Sequence, residues 1–95
     1  MPQLIGIEGL AAGAMFALST PFVTIGSDAE SDIALVDRAV SPLHARLTTH
    51  DNGQVCVEEG DSASVVLVND TRVPQALLAH GDLLQIGDNV FRFEA

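Results

Sequence analysis

Lysine, tryptophan and tyrosine are missing from this chain of 95 residues, and cysteine occurs once, as Cys56. One cysteine excludes an internal disulfide framework and a zinc site built on paired thiolates. No apolar run reaches the roughly 20 residues needed to span a bilayer, and the N-terminus lacks the basic and apolar regions of a signal peptide. We therefore expect a cytoplasmic chain, which is also compatible with the cytoplasmic domain of an inner-membrane protein.

Positive charge is scarce, because four arginines face thirteen acidic residues and the net charge is −9. Affinity for nucleic acid or for an anionic membrane depends on neutralising phosphate groups with Lys and Arg, so we expect neither partner. Hydrophobic residues make up 47% of the chain, which disfavours intrinsic disorder. The length fits one small core, and we expect a single domain over residues 1–95.

Short apolar or alternating segments, separated by Gly and Pro, predict a β protein. The predicted strands are Gln3–Ile7, Ala14–Leu18, Phe22–Ile25, Ile33–Val36, His44–Thr48, Gln54–Glu58, Ser64–Val68, Leu83–Ile86 and Val90–Glu94. Three turn sequences predict hairpins: Asp51-Asn52-Gly53, Asn69-Asp70 and Gly87-Asp88-Asn89. A helical turn over Gln75–Ala79 is the one competing element. Many short strands with turns between them favour an all-β sandwich or barrel.

Two segments carry a resemblance to a known family. The first contains Gly26-Ser27-Asp28, Asp32-Ile33-x-Leu35-x-Asp37 and Ser41-x-x-His44. The second contains Gly81-Asp82-Leu83-Leu84-Gln85-Ile86-Gly87 and ends at Phe91-Arg92-Phe93. From Phe22 to the C-terminus the chain resembles a forkhead-associated (FHA) domain. The resemblance implies a β-sandwich of about eleven short, mostly antiparallel strands, with loops at one end forming the binding surface.

The departures from that family bear on function. Typical members hold a phosphothreonine peptide with an Arg after the first Gly, the motif Ser and an Asn. Here Ser27 replaces the Arg, Ser64 replaces the Asn, and only Ser41 remains. A neutral hydrogen bond contributes about 0.5–1.5 kcal/mol, against about 1.5–3 kcal/mol for one to a charged group. We therefore expect a protein-interaction or scaffolding domain that does not depend on phosphorylation.

A narrower resemblance fits these departures. Gly26-Ser27-Asp28 and Pro42-x-His44 look like the FHA-like cytoplasmic domain of type III secretion inner-membrane ring proteins. This resemblance implies docking on other cytoplasmic components of the secretion machine, and a ring or homo-oligomer in the full-length protein. The alternative is a phosphothreonine-binding signalling adaptor in which Arg38 or Arg46 provides a shifted site.

These comparisons assign roles to individual residues. The candidate binding residues, in relic phosphopeptide-site loops or a docking surface, are Ser27, Asp28, Arg38, Ser41, Pro42 and Ser64. The candidate structural residues are Gly26, His44, Asn69, Gly81 and Asp82, where Asn69 matches a later, turn-forming Asn of the family. The loops Gly26–Asp32, Val40–Leu43 and Gly60–Ser64 are expected to converge, which would place their acidic residues side by side.

Catalysis and metal binding find little support in the sequence. Ser41 and His44 are separated by Pro42 with no glycine-rich elbow, which argues against a nucleophile and its base. The three histidines do not have metal-ligand spacing, and no glycine-rich phosphate loop is present. We therefore expect a protein that is not an enzyme and needs neither metal nor cofactor. Cys56 is expected to be a buried apolar residue, and Asp32 to bond its own backbone in an Asx-turn.

Overall fold

Eleven strands and no helix make up the part of the chain that the computed structural model describes, residues 1–61 and 64–95. No helix that could cross a membrane is found in that part either. The strands are β1 (Gln3–Glu8), β2 (Met15–Ala17), β3 (Phe22–Gly26), β4 (Ile33–Ala34), β5 (Ala45–Thr49), β6 (Val55–Glu59), β7 (Val66–Val68), β8 (Thr71–Arg72), β9 (Gln75–Leu78), β10 (Leu83–Ile86) and β11 (Asn89–Glu94).

The strands form two sheets. The first has the order β2-β1-β11-β10-β7-β8 and the second the order β4-β3-β5-β6-β9. Every pair is antiparallel except β3 with β4. The predicted all-β sandwich is therefore confirmed.

The first and last long strands pair with each other in the middle of the first sheet, with Leu4 opposite Phe93. The side-chain amide of Gln3 donates a hydrogen bond to the Glu94 carboxylate at 2.9 Å, and the Arg92 guanidinium donates another to the same carboxylate at 3.0 Å. These two partners hold the pKa of Glu94 below its ordinary value of 4.5. The two ends of the chain are thus joined by side chains as well as by the strand ladder.

The core lies between the sheets, because alternate residues of each strand point inward. Its completely buried side chains include Leu4, Leu84, Ile86 and Phe91 of the first sheet and Ile25, Leu47 and Val57 of the second. Phe16 meets Phe91 edge to face, with ring centroids 6.0 Å apart. Burying one such side chain contributes about 1.5–3 kcal/mol, so the alternation that predicts the strands also stabilises the sandwich.

The predicted strands are all present, with ends that differ by at most two residues. The helical turn over Gln75–Ala79 is wrong, because Gln75–Leu78 forms the edge strand β9. Its residues Ala76 and Leu78 pack toward the core, while Leu77 is exposed. The short strand β8 was also not predicted. Cys56 is not a core residue either, since it lies half-buried between Val55 and Val57, which face inward.

The three predicted hairpins are confirmed, with different turn chemistry. Asn69 and Asp70 both adopt positive φ, of 51° and 67°, as a two-residue type I′ turn requires. In the other two hairpins only the glycine does so, Gly53 at 87° and Gly87 at 60°. The β10–β11 hairpin places one end of the first sheet beside the loops described next.

Candidate docking site at the loop end of the sandwich

Three loops meet at one end of the sandwich, and main-chain hydrogen bonds join them. The first loop is residues 27–32, the second 35–44 and the third 60–65, of which Ser62 and Ala63 lie outside the described residues. The Ser27 amide donates to the Ser41 carbonyl at 2.9 Å, and the Asp61 amide donates to the Leu43 carbonyl at 3.1 Å. The loops therefore converge as the FHA resemblance implies.

Two glycines allow this close approach. A Cβ on Gly26 would overlap the carbonyl oxygen of Pro42, and one on Gly60 would overlap that of Leu43. Both neighbours are backbone atoms, which cannot move aside as a side chain can. Gly26 lies at the end of β3, where the first and second loops touch, and its lack of a side chain permits that contact.

His44 ties the second loop to the third from a buried position, only 3% exposed. The Ser41 amide donates to its Nδ1 at 3.0 Å, and its Nε2 lies 2.8 Å from the Val65 carbonyl oxygen. Since Nδ1 accepts, Nε2 donates to the Val65 carbonyl. Both nitrogens are occupied by main-chain groups, and the contact runs to the amide of Ser41 rather than its hydroxyl. The contact between Ser41 and His44 therefore stabilises the second loop.

Acidic side chains hold the first loop in shape. Asp32 accepts from the Thr24 amide at 2.8 Å and from its hydroxyl at 3.1 Å, so it bonds the neighbouring strand. The expectation of an Asx-turn at Asp32 is therefore wrong. That turn occurs at Asp28, whose carboxylate accepts from the Glu30 amide at 2.9 Å.

Two shallow cavities open at this end. One, of about 210 Å³, is lined by Thr24, Asp28, Glu30, Ser31, Pro42 and Leu43. The other, of about 150 Å³, is lined by Ala39, Ser41, His44, Val65, Leu67, Gln85 and Gly87. Both linings lack arginine, and the first carries two carboxylates.

Three of the four arginines are engaged by glutamates. Arg46 lies 3.4 Å from Glu58, Arg72 lies 3.4 Å from Glu59, and Arg92 lies 3.0 Å from Glu94. Arg38 is exposed in the turn closed by the Val40 amide and the Asp37 carbonyl, and forms no ion pair with any described residue. It is the one cation within the three loops.

The remaining predicted residues occupy two different places. Ser64 is completely buried beneath the second loop, where its hydroxyl donates to the Leu43 carbonyl at 3.4 Å. Asn69 and Asp82 lie at the opposite end, joined by a 3.0 Å bond from the Asn69 amide to the Asp82 carboxylate. Gly81 forms the neighbouring turn with φ 91°. These last three residues support the distal end of the sandwich.

Sequence reasoning missed Asn89, which is completely buried. Its side chain accepts from the Leu10 amide at 2.8 Å and donates to the Ile86 carbonyl at 3.1 Å, and its nitrogen lies 3.5 Å from Asp37. It thereby links the β1–β2 turn, the β10–β11 hairpin and the second loop. Its position in a turn sequence was visible, but nothing in the sequence indicated these distant partners.

Comparison with known proteins places the chain among FHA domains. Residues 6–95 match the profile of the family described as the inner membrane component of the type III secretion system (T3SS), cytoplasmic domain. The glycogen accumulation regulator GarA of Mycolicibacterium smegmatis is 37% identical over 84 residues, 88% of this chain. The oxoglutarate dehydrogenase inhibitor of Corynebacterium diphtheriae is 38% identical over 85 residues, 90% of this chain. The match spans only 52% and 59% of those two proteins.

Solved structures agree with this grouping. The FHA domain of the CT664 protein from Chlamydia trachomatis has a TM-score of 0.88 at 26% identity, covering 99% of this chain and 96% of that one. Mycobacterium tuberculosis EmbR, solved with a low-affinity phosphopeptide, has a TM-score of 0.86 at 26% identity, covering 98% and 24%. The cytoplasmic domain of the T3SS sorting platform protein PscD from P. aeruginosa has a TM-score of 0.80 at 23% identity, covering 97% and 78%.

Proposed function

This chain belongs to the family of FHA domains described as the cytoplasmic domain of the T3SS inner membrane component. We propose that it binds protein partners and that this binding does not depend on phosphorylation. FHA domains bind other proteins, and the loop end is the surface through which this chain would do so. The observation that carries the proposal is Ser27, which stands beside Ser41 where the family resemblance expects a guanidinium group.

The physical argument rests on charge. A phosphothreonine carries nearly two negative charges at neutral pH, and its capture needs charge-assisted hydrogen bonds. The cavity next to Ser27 is lined instead by Asp28 and Glu30, which repel an anion. The net charge of −9 also lowers the local concentration of any phosphopeptide. A neutral or basic protein segment fits this end of the sandwich better.

Within this proposal, the chain acts as a cytoplasmic scaffolding domain of a type III secretion inner-membrane ring. The profile match over residues 6–95 and the similarity to PscD support this assignment. Its partners would be other cytoplasmic components of the machine. The assignment predicts that the full-length gene product contains, outside this domain, an apolar span of about 20 residues. A gene product without such a span would contradict it.

The second candidate is a phosphothreonine-dependent regulator. It is favoured by the identity to GarA and to the oxoglutarate dehydrogenase inhibitor, and by the EmbR structure with a phosphopeptide. In this chain it would depend on Arg38, the cation within the three loops. Arg46 suits the role less well, because it lies on the outer face of the second sheet beside Glu58.

A phosphothreonine peptide library, titrated with its unphosphorylated counterpart, separates the two candidates. We expect the wild-type protein to show no preference for the phosphorylated peptides. Ser27→Arg should create weak phosphothreonine binding, at least tenfold above wild type, because a charged donor then stands beside Ser41. Arg38→Ala is the matched control and should change nothing. Micromolar binding by the wild type that is lost on dephosphorylation and in Arg38→Ala would establish the second candidate instead.

A further inference from the structure

The outer face of the second sheet carries a row of four side chains, of which the two large apolar ones at its ends are exposed to solvent. Phe22, Thr48, Cys56 and Leu77 are direct neighbours across β3, β5, β6 and β9. Their chain neighbours on these strands point into the core, so strand alternation puts all four on the outside. Phe22 is 71% exposed and Leu77 57%. Phe22 is also the one phenylalanine outside the sandwich interior, which makes its exposure costly for an isolated protein.

A polar row lies beside the apolar one, two residues along each strand. It consists of Thr24, Arg46, Glu58 and Gln75 in the same strand order. Arg46 and Glu58 neutralise each other at 3.4 Å. Beside the row lie the carboxylate of Asp32, which is bonded to Thr24, and those of Asp28 and Glu30, which line a cavity together with Thr24. The two rows themselves are therefore neutral, on a molecule of net charge −9. Like-charge repulsion therefore opposes contact between two copies only weakly at these rows.

The order of side chains along each row makes the face complementary to itself. A two-fold axis parallel to the strands, between β5 and β6, lays β3 of one copy over β9 of the other. Phe22 then lies opposite Leu77 of the second copy, and Thr48 opposite Cys56. An isologous dimer requires this kind of surface, in which one half of a patch matches the other half.

The same axis matches the polar rows. Arg46 of one copy lies opposite Glu58 of the other, twice by symmetry, and Thr24 lies opposite Gln75. The amide of Gln75 can donate to the carboxylate of Asp32, which sits beside Thr24. Apolar groups thus meet apolar groups and opposite charges meet, with no like charges placed face to face.

We propose that this chain forms a two-fold symmetric dimer through the outer face of its second sheet. The face spans four strands about 4.8 Å apart and about five residues long, or roughly 300 Å² per copy. Stable interfaces bury about 800 Å² per partner, so the dimer is weak and forms at high local concentration. This face adjoins the loop end at Thr24 and Asp32. None of its residues lines the second cavity, beside Ser41 and His44, so a dimer leaves that cavity open.

Charge reversal and mixing test the proposed axis. Arg46→Glu alone places two carboxylates opposite each other across the axis, and Glu58→Arg alone places two guanidinium groups there. We expect each variant to be monomeric by sedimentation equilibrium. The wild type, in contrast, should dimerise with a dissociation constant below about 1 mM. An equimolar mixture of the two variants should dimerise again, because every contact across the axis then joins opposite charges.

The mixture distinguishes the interface from the ion pair inside one chain. Each variant lacks its own Arg46–Glu58 pair whether or not the other is present, so only an intermolecular contact can be rescued by mixing. Phe22→Ser should raise the dimer dissociation constant at least tenfold. Leu83→Ser, an exposed leucine on the first sheet, is the matched control and should leave it unchanged. A wild-type protein that stays monomeric to about 1 mM, a mixture that stays monomeric, or equal effects of the two serine variants would each overturn the proposal.

Discussion

At the scale of the residue, the loop end depends on two glycines as well as on polar side chains. Gly26 and Gly60 let the first and third loops reach the backbone of Pro42 and Leu43. The carbonyl of Ser41 then accepts a hydrogen bond from the Ser27 amide, and the Ser41 amide donates one to the His44 ring. Contacts of the main chain thus set the positions of Ser41 and Pro42 in the second loop. A side chain added at Gly26 must displace that main chain.

We expect Gly26→Ala to destabilise the protein by about 1–3 kcal/mol, the usual cost of overpacking. The φ of Gly26 is not positive, so the cost comes from the overlap with Pro42 rather than from backbone strain. Urea unfolding measures it as a lower midpoint at an unchanged slope. Gly53→Asn is the control, because Gly53 has open space around it and Asn tolerates its positive φ. Equal midpoints for the two variants would show that the loops can separate without loss.

At the scale of the element, alternation predicted the long strands and failed at β9. The segment Gln75–Leu78 consists of residues that favour helices, between Pro74 and Gly81. Pairing with β6 overrides that preference, since it buries Leu78 opposite Val55 and satisfies the Glu59 amide with the Pro74 carbonyl. Because β9 pairs with a strand that begins at Val55, far earlier in the chain, the residues next to it give no signal of that pairing. Strand β8, with only two residues, gives even less signal.

The β7–β8 hairpin depends on Asn69 in two ways. Asn69 tolerates its positive φ, and its side chain accepts from the Leu83 amide at 3.0 Å while donating to Asp82. We expect Asn69→Ala to lower the free energy of unfolding. The left-handed backbone conformation should account for about 1–2 kcal/mol of this loss, and each missing hydrogen bond for about 0.5–1.5 kcal/mol. Thermal unfolding should show the loss. Asp70→Gly keeps both bonds and suits a type I′ turn, so it should unfold at or above the wild-type temperature. A lower temperature in Asp70→Gly than in Asn69→Ala would contradict this account.

At the scale of the whole molecule, the fold could be predicted from the sequence, but the details of the site could not. Alternating strands, turn residues and the Ser41-x-x-His44 motif were enough for a sandwich with converging loops. The burial of Ser64, the partner of Asp32 and the network around Asn89 were not predicted. Each depends on residues distant in the chain that only the packed sheets bring together. The exposed row that begins at Phe22 likewise required the register of four strands.

The net charge acts over the whole molecule and gives the last prediction. The molecule measures 34 × 28 × 26 Å, close to the Debye length of about 30 Å at 10 mM salt. At that salt concentration nearly all its acidic residues repel one another. At 150 mM salt the screening length is about 8 Å, so repulsion remains only between carboxylates that are close neighbours. We therefore expect the thermal unfolding temperature to rise as NaCl increases from 10 to about 150 mM.

A variant of lower charge separates repulsion from other effects of salt. Glu30→Lys with Asp61→Lys changes the net charge by two at each position, from −9 to −5, at two exposed sites. Its unfolding temperature at 10 mM NaCl should exceed that of the wild type, and its rise with salt should be smaller. If both proteins gain the same number of degrees, repulsion between distant carboxylates does not limit stability. The salt response would then come from ion binding common to both, because the two proteins differ only in charge.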